Sequence, residues 1–489
     1  MLAKLRTFAL LGIDAVPVEV EVDANPGTAK IILVGLPEMA VRESVHRIER
    51  ALANLGYARP TGRTIINLAP ADLRKDAGGF DLPIALGILV STRQLTPEQL
   101  KDFASIGELS LDGQVRPVKG ALSTAMAARD LGVKKLIVPM INAREAAVVA
   151  EIEVYGVTSL SEAVGIISGA LEVDPVSPPV DDIAARMNRY DVDFADVRGQ
   201  EYAKRALVIA AAGSHNVLML GSPGSGKTML ARRLPGILPP LSLDEAIEVT
   251  RIHSVAGLLP PGRPLVAAPP FRAPHHGASM AAITGGGPGP RPGEASLAHR
   301  GVLLLDELPE FSRPCLEALR QPLEDGFVAI SRVQGRAVFP ARFALVATMN
   351  LCACGGRGDP LAECSCSAQR LVAFRDRVSR ALLDRIDLVV VVPRARAVEL
   401  AGPPGEPSAV VRDRVVEARR RLEAPLALQT AAAELLDRAV ERLPLSGRGR
   451  ARVARVAATV AALAGADGVA AEHVAEALSY RVPRELETG

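Results

Sequence analysis

The stretch VLMLGSPGSGKT, Val217 to Thr228, decides how the chain is read. Four apolar residues run as a buried strand into a loop with glycines at 221, 224 and 226. Lys-Thr and the helix-like TMLARRLPGIL follow. Glycines there permit tight turns and a close approach to phosphate oxygens. Successive backbone N–H groups and the next helix N-terminus then favour a bound anion. Gly221, Ser222, Pro223, Gly224, Ser225, Gly226, Lys227, Thr228 and Met229 are the expected nucleotide-binding residues, with ATP as the ligand. Lys227 is placed to reach the β- and γ-phosphates, and the Thr228 hydroxyl to ligate Mg²⁺.

Two later runs fit the same domain. GVLLLDEL (301–308) reads as a buried strand ending in Asp306 and Glu307. An acid at that point holds Mg²⁺ through water, and the next one orients or deprotonates the attacking water. The bland alternative is a capped strand end with two solvated acids. FALVATMN (343–350) reads as a third strand, and Asn350 at its end is placed to contact the γ-phosphate or the lytic water. Strands alternating with helices over 196–395 predict a parallel α/β domain.

Outward from that block, 489 residues accommodate two to four domains. Residues 1–172 mix short strands and helices. VPVEVEVDA (16–24) alternates as a strand, KIILVGL (30–36) reads as a buried strand, and VRESVHRIERALANLG (41–56) as an amphipathic helix stopped by Gly56. FDLPIALGILVST (80–92) is apolar and helix-like, and GELSLDGQVRPV (107–118) predicts a hairpin turning at Asp112-Gly113. The Pro- and Asp-rich stretch from 173 predicts a linker over 173–195. Residues 396–489, rich in Ala, Leu, Arg and Glu, predict a helical domain.

The formal charge of +2 makes no whole-chain argument for a polyanion, so such a contact must come from a local patch. Trp is absent and aromatics are 3%, which disfavours a surface built on base stacking. No apolar stretch reaches membrane-helix length, so no membrane partner and a cytoplasmic location are expected. Five cysteines there argue against a disulfide framework. Four of them, Cys352, Cys354, Cys364 and Cys366, form two C-x-C pairs around a glycine-bearing loop. Four thiolates close a tetrahedral Zn²⁺ site; the alternative is four reduced thiols in a surface loop. His275 and His276 in APHHG would point to opposite faces in a strand and share no metal. They read as loop residues with a structural or nucleotide-sensing role.

At FRAPHHGAS (271–279), GEASLAHRGVLLLDELPEF (293–311) and LLDRIDL (382–388) the chain resembles the magnesium-chelatase-like branch of the AAA+ ATPases. Together with its front it is similar to the ComM/YifB family over essentially its whole length. The resemblance implies three parts: an α+β Lon-protease-like domain of the ribosomal-S5-domain-2 type, a P-loop αβα domain with a parallel sheet, and a C-terminal helical lid. It implies a homo-oligomeric ring, most simply a hexamer. Arg385 then becomes an arginine finger for the neighbouring subunit's ATP, although its residue type alone leaves it equally placed to pair with Asp384 or Asp387. Arg448 takes the lid-arginine position, with Arg452 as the fallback. The family's cysteine block usually carries prolines where this chain has Leu351 and Ala353.

NLAPADLRKDAGGFDLPIALG and GELSLDGQVRPVKGALSTAMAA resemble the Lon proteolytic domain. Matching the blocks puts Gly79 where the nucleophilic serine should stand and Leu122 where the lysine should. No protease activity is expected, since glycine offers no nucleophile and leucine takes no proton. Ser110, Ser123 and Lys119 lie nearby but out of register.

Three workloads compete for the ATPase: inserting Mg²⁺ into a porphyrin, remodelling protein, or moving DNA. VAISRVQGRAVFPA (328–341) reads as a hairpin with Arg332 and Arg336 close to its tip. Guanidinium groups there grip phosphates without reading sequence; the alternative is two solvated arginines on an ordinary hairpin. The resemblance implies translocation on single-stranded or branched DNA, with branch migration during natural transformation and recombination proteins as partners.

Overall fold

The computed structural model describes every residue except 1, 29, 36–38, 72, 74, 76–77, 178–189, 261–262, 288–289, 333–334, 444 and 482–489. Much of the expected 173–195 linker therefore lies outside the described residues. The rest folds into two compact units. One comprises 1–185 with 246–266 and 330–338; the other comprises 186–245, 267–329 and 339–489.

The first unit is built on a seven-stranded mixed sheet. Its strands run in the order Lys30–Val34, Arg63–Ala69, Asp14–Asn25, Leu2–Leu11, Phe103–Ser105, Lys135–Pro139 and Glu153–Val157. The first two strands of the chain pair antiparallel from Leu2↔Asp23 to Leu11↔Asp14. Helix Asp81–Ser91 is buried at all eleven positions, which explains its uniform apolarity: it lies wholly inside the core. A Cβ at Gly87 would stand 2.6 Å from Val22 Cγ2, so the glycine sets how closely helix and sheet approach. KIILV is only half covered, with burial pattern eiiie. The expected buried strand is instead the sheet's edge, where one flank has no neighbour to cover it.

The second unit contains a five-stranded sheet in the order Phe271–Arg272, Val302–Leu305, Ala344–Met349, Val217–Leu220, Leu388–Val391. Every pairing in it is parallel. The phosphate-loop strand and its neighbour Ala344–Met349 are buried throughout, which is why they read as unbroken apolar runs. Helices Glu201–Gly213 and Lys227–Ile237 pack into the same core, as do Ser408–Arg421, Thr430–Arg442, Gly447–Leu463 and Ala471–Ser479. Parallel strands end together, so all their C-termini lie along one edge of the sheet and all their N-termini along the other. These two edges organise the chemistry. Among the described residues no helix is long and apolar enough to cross a membrane.

Candidate nucleotide site and arginine cleft

At the C-terminal edge, Val217–Leu220 feeds the phosphate loop into helix Lys227–Ile237. Gly224 and Gly226 have φ of +77° and +97°, and a Cβ on either would meet only open space. Gly221 has a different reason: its Cβ would fall 2.3 Å from the Val392 carbonyl oxygen on the neighbouring strand's exit. The loop is thus pinned from below and open above. The Ser222 and Ser225 hydroxyls are buried with no hydrogen-bond partner among the described residues, and each leaves donor capacity for a polyphosphate.

Lys227 donates to the Gly221 and Ser222 carbonyls, both at 2.8 Å, and to Asn350 Oδ1 at 3.3 Å. Burial pulls its ammonium below the ordinary lysine value, while Asp306 and Glu307 pull it back up. Thr228 Oγ1 donates to both Asp306 carboxylate oxygens, at 3.1 and 3.0 Å. A hydroxyl and a carboxylate side by side form an oxygen donor set suited to Mg²⁺. Lys227, Thr228, Asp306 and Asn350 are therefore brought together from three strand ends. Met229 stands one step further round, 39% exposed.

Thr348, supplied by the third strand, is a residue that no motif in the sequence singles out. It is 1% exposed, donates to Asp306 Oδ1 at 2.5 Å and accepts from the Glu307 N–H at 3.0 Å. One hydroxyl thereby orients both acids. Glu307 sits at φ +57°, a left-handed conformation that is rare outside glycine and common at functional turns. His276 Nδ1 lies 4.0 Å from Glu307 Oε2. The two histidine rings pack together at 4.0 Å between centroids, because the segment is a turn and not a strand. The alternation that would have separated them does not apply.

The other arginines gather at the N-terminal edge. Asn216, just before the phosphate-loop strand, donates from Nδ2 to the Arg385 carbonyl at 2.8 Å. Arg385 is thus separated from the phosphate loop by a four-residue strand, about 13 Å of rise. Its side chain is 7% exposed and paired with Glu324. Arg448 Nη1 approaches the same Glu324 at 3.5 Å. Neither neighbouring aspartate is the partner. Asp387 instead engages Arg455 at 3.2 Å and Arg452 at 3.8 Å, and accepts from Asn216 N at 3.0 Å. Burial pushes Asp387 up, but His215, the Asn216 N–H and Arg455 outweigh it and hold its carboxyl below the ordinary value. Arg385, Glu324, Asp387, Arg452 and Arg455 line a cleft of about 690 Å³ that also takes in Arg300, Arg342 and Arg419.

The four cysteine sulfurs come together, all within 4.8 Å of one another, the one cluster of three or more His, Cys, Asp or Glu side chains among the described residues placed to share a metal. Three Sγ···Sγ separations are 3.3, 3.6 and 3.7 Å, near the edge of about 3.8 Å for a tetrahedron with 2.3 Å Zn–S bonds. Cys315 stays apart, buried, donating to the Ala278 carbonyl.

In the first unit Leu122 is fully buried, its N–H donating to Glu145 Oε1 at 3.0 Å. Ser123 Oγ donates to the Ile13 carbonyl at 2.6 Å, and Ser110 Oγ bonds Asp112. No hydrogen bond joins either serine to a lysine among the described residues. Strands Phe327–Arg332 and Gly335–Pro340 form the expected two-stranded hairpin. Arg332 and Arg336 lie in those strands, but their side chains and residues 333–334 lie outside the described residues.

Three family models match the chain. Magnesium chelatase, subunit ChlI, covers 193–400; subunit ChlI of Mg-chelatase covers 20–142; and the subunit ChlI C-terminal model covers 405–481. Competence protein ComM of Haemophilus influenzae is 41% identical over 499 residues, 98% of this chain and 97% of that one. YifB of Escherichia coli is 39% identical over 499 residues, with the same coverage. Lon protease 4 of Sorangium cellulosum is 30% identical over 177 residues, 32% of this chain and 20% of that protein.

Proposed function

The chain belongs to the ComM/YifB family of magnesium-chelatase-like AAA+ ATPases, and on that premise we propose that it is a ring-forming motor that translocates on single-stranded or branched DNA and drives branch migration. One observation carries the reading. The phosphate loop and Arg385 occupy opposite edges of one parallel sheet, so no single copy completes a catalytic pocket by itself. A head-to-tail ring joins the loop edge of one subunit to the arginine edge of the next.

In that ring Gly221 to Met229 and Lys227 hold ATP. Thr228 and Asp306 hold Mg²⁺, which screens the phosphate charge when bound. Glu307, aimed by Thr348, accepts the proton of the attacking water, and Asn350 positions that water or the γ-phosphate. Arg385 of the adjoining copy leaves its Glu324 and meets the charge that develops there, with Arg448 as the lid arginine. A finger in trans contributes roughly 10³–10⁵ in rate.

We assign the parts as 1–172, a Lon-like domain without its dyad; 173–195, a linker; 196–395, the ATPase with its Cys₄ insert; and 396–489, a helical lid. Four clustered thiolates suit Zn²⁺. The hairpin 328–341 is the DNA contact, with Arg332 and Arg336 gripping phosphates. The competence protein among its relatives supports natural transformation as the setting, in the cytoplasm and beside recombination proteins.

The test is branch migration on a labelled three-way junction, with Lys227→Ala as the inactive control. ATP-dependent product, and ATPase activity stimulated by DNA but not by porphyrin or casein, supports the reading. Stimulation by porphyrin or casein alone, with no junction processed, overturns it.

A further inference from the structure

The cysteine loop does not stand apart from the nucleotide site. It begins two residues after Asn350, whose Oδ1 accepts from Lys227. It then folds back onto the phosphate loop. Gly355, at φ +79°, lies so close that a Cβ there would stand 2.8 Å from Pro223 Cγ and 3.0 Å from Cδ. Further along, Asp359 is ion-paired to Arg394 at 3.2 Å, with its side chain 6% exposed. The Ser222 hydroxyl lies beside that carboxylate, and the Leu361 N–H, first, and then Arg394 hold the acid below its ordinary value. The loop therefore meets the phosphate loop at Pro223, with Asp359 beside Ser222.

Little besides the sulfurs shapes this loop. From Arg357 to Ser367 no residue is buried as a whole, although the Asp359 carboxylate is covered, and the apolar Leu361 is 78% exposed. Its two arms meet where a Cβ on Gly356 would stand 2.7 Å from the Glu363 carbonyl oxygen, a contact made between the two C-x-C pairs. An exposed segment with so few apolar contacts sits at the low-stability end of a fold. A four-thiolate metal site supplies the missing cross-link, since metal binding to such ligands is folding free energy.

We infer that the Cys352–Cys354–Cys364–Cys366 centre is a clamp on the phosphate loop, so that metal occupancy and nucleotide affinity are linked. The inference rests on the metal reading of the cluster. Metal orders the loop; the ordered loop fixes Pro223 and Ser222; the fixed phosphate loop binds nucleotide without first ordering itself. Linkage is reciprocal, so bound nucleotide also holds the metal more tightly. Loss of the metal would then weaken the ATPase at the binding step.

The experiment measures the Kd of a fluorescent ADP analogue for the full chain. Samples are as purified, stripped with a thiol-reducing chelator mixture and dialysed, and reloaded with Zn²⁺. Metal content is read by mass spectrometry and folding by circular dichroism. The expected result is bound zinc, at least a roughly tenfold weakening on stripping, and recovery on reloading. Gly355→Val provides a second arm that keeps all four ligands; it should retain zinc yet bind the analogue more weakly. A folded protein that neither carries nor takes up zinc overturns the metal reading and the clamp together. Zinc demonstrably lost with an unchanged Kd, or Gly355→Val binding as wild type, overturns the clamp alone.

Discussion

At the scale of single residues, binding and chemistry separate cleanly. Lys227 faces the phosphate loop, whereas Glu307 faces outward from the strand end. Lys227→Ala should abolish nucleotide binding at concentrations that saturate wild type. Glu307→Gln should keep the nucleotide Kd within a few-fold while kcat falls on the order of 10²–10⁴, read by equilibrium binding and phosphate release on the same preparation. Thr348→Val keeps the shape but leaves the Glu307 N–H without its acceptor and Asp306 with Thr228 as its remaining hydroxyl donor. A lost buried hydrogen bond costs about 1–3 kcal/mol, so hydrolysis should drop about 10- to 100-fold with nucleotide affinity little changed. The phosphate-loop residues were legible because glycines, Lys and Thr must follow one another directly there. Thr348 was legible only in part: in a strand it shares a face with Asn350, but threonine is ordinary in strands. The approach of His276 to Glu307, and of Asp359 to the phosphate loop, joins residues far apart in sequence, and no local pattern announces such contacts.

At the scale of elements, apolar runs announced strands and helices, while their neighbours decided what each run buries. FDLPIALGILV became a wholly buried helix, yet KIILV, equally apolar, became an edge strand. Sequence holds no sign of which strand lacks a partner on one side. The arginine-rich helix Gly447–Leu463 presented four candidates, and the fold sorted them. Arg448 joins Arg385 at Glu324, while Arg452 and Arg455 join Asp387. Asp387 thus fastens this helix to the sheet. Because its folded pKa lies below the unfolded value, its stabilisation is present above about pH 4 and is lost as pH falls through the depressed folded value. Wild type should therefore lose thermal stability on acidification in that window. Asp387→Asn should start lower and lose less there, as measured by melts from pH 7 to pH 3. The hairpin 328–341 is the element assigned to DNA. Replacing Arg332 and Arg336 by Ala should weaken DNA binding and flatten the log K against log salt slope by about 0.7 for each phosphate left without its arginine. Nucleotide affinity should stay unchanged.

At the scale of the whole molecule, the central claim is that catalysis belongs to an interface. The sequence pointed to both halves of that interface, the phosphate loop through its spacing and Arg385 through family resemblance. The reason we propose that they come from different copies, their placement at opposite edges of the sheet, is not legible in it. Two dead variants test this most directly. Lys227→Ala subunits retain Arg385, and Arg385→Ala subunits retain an intact nucleotide site. Each alone should hydrolyse no ATP above background. Mixed in equal amounts under conditions that allow subunits to exchange, they should regain activity, because about a quarter of the interfaces in a random ring pair an intact phosphate loop with an intact finger. Steady hydrolysis by the mixture is the predicted result. Arg385→Ala turning over ATP at the wild-type rate on its own, or a mixture that assembles into mixed rings and stays inactive, would contradict the account.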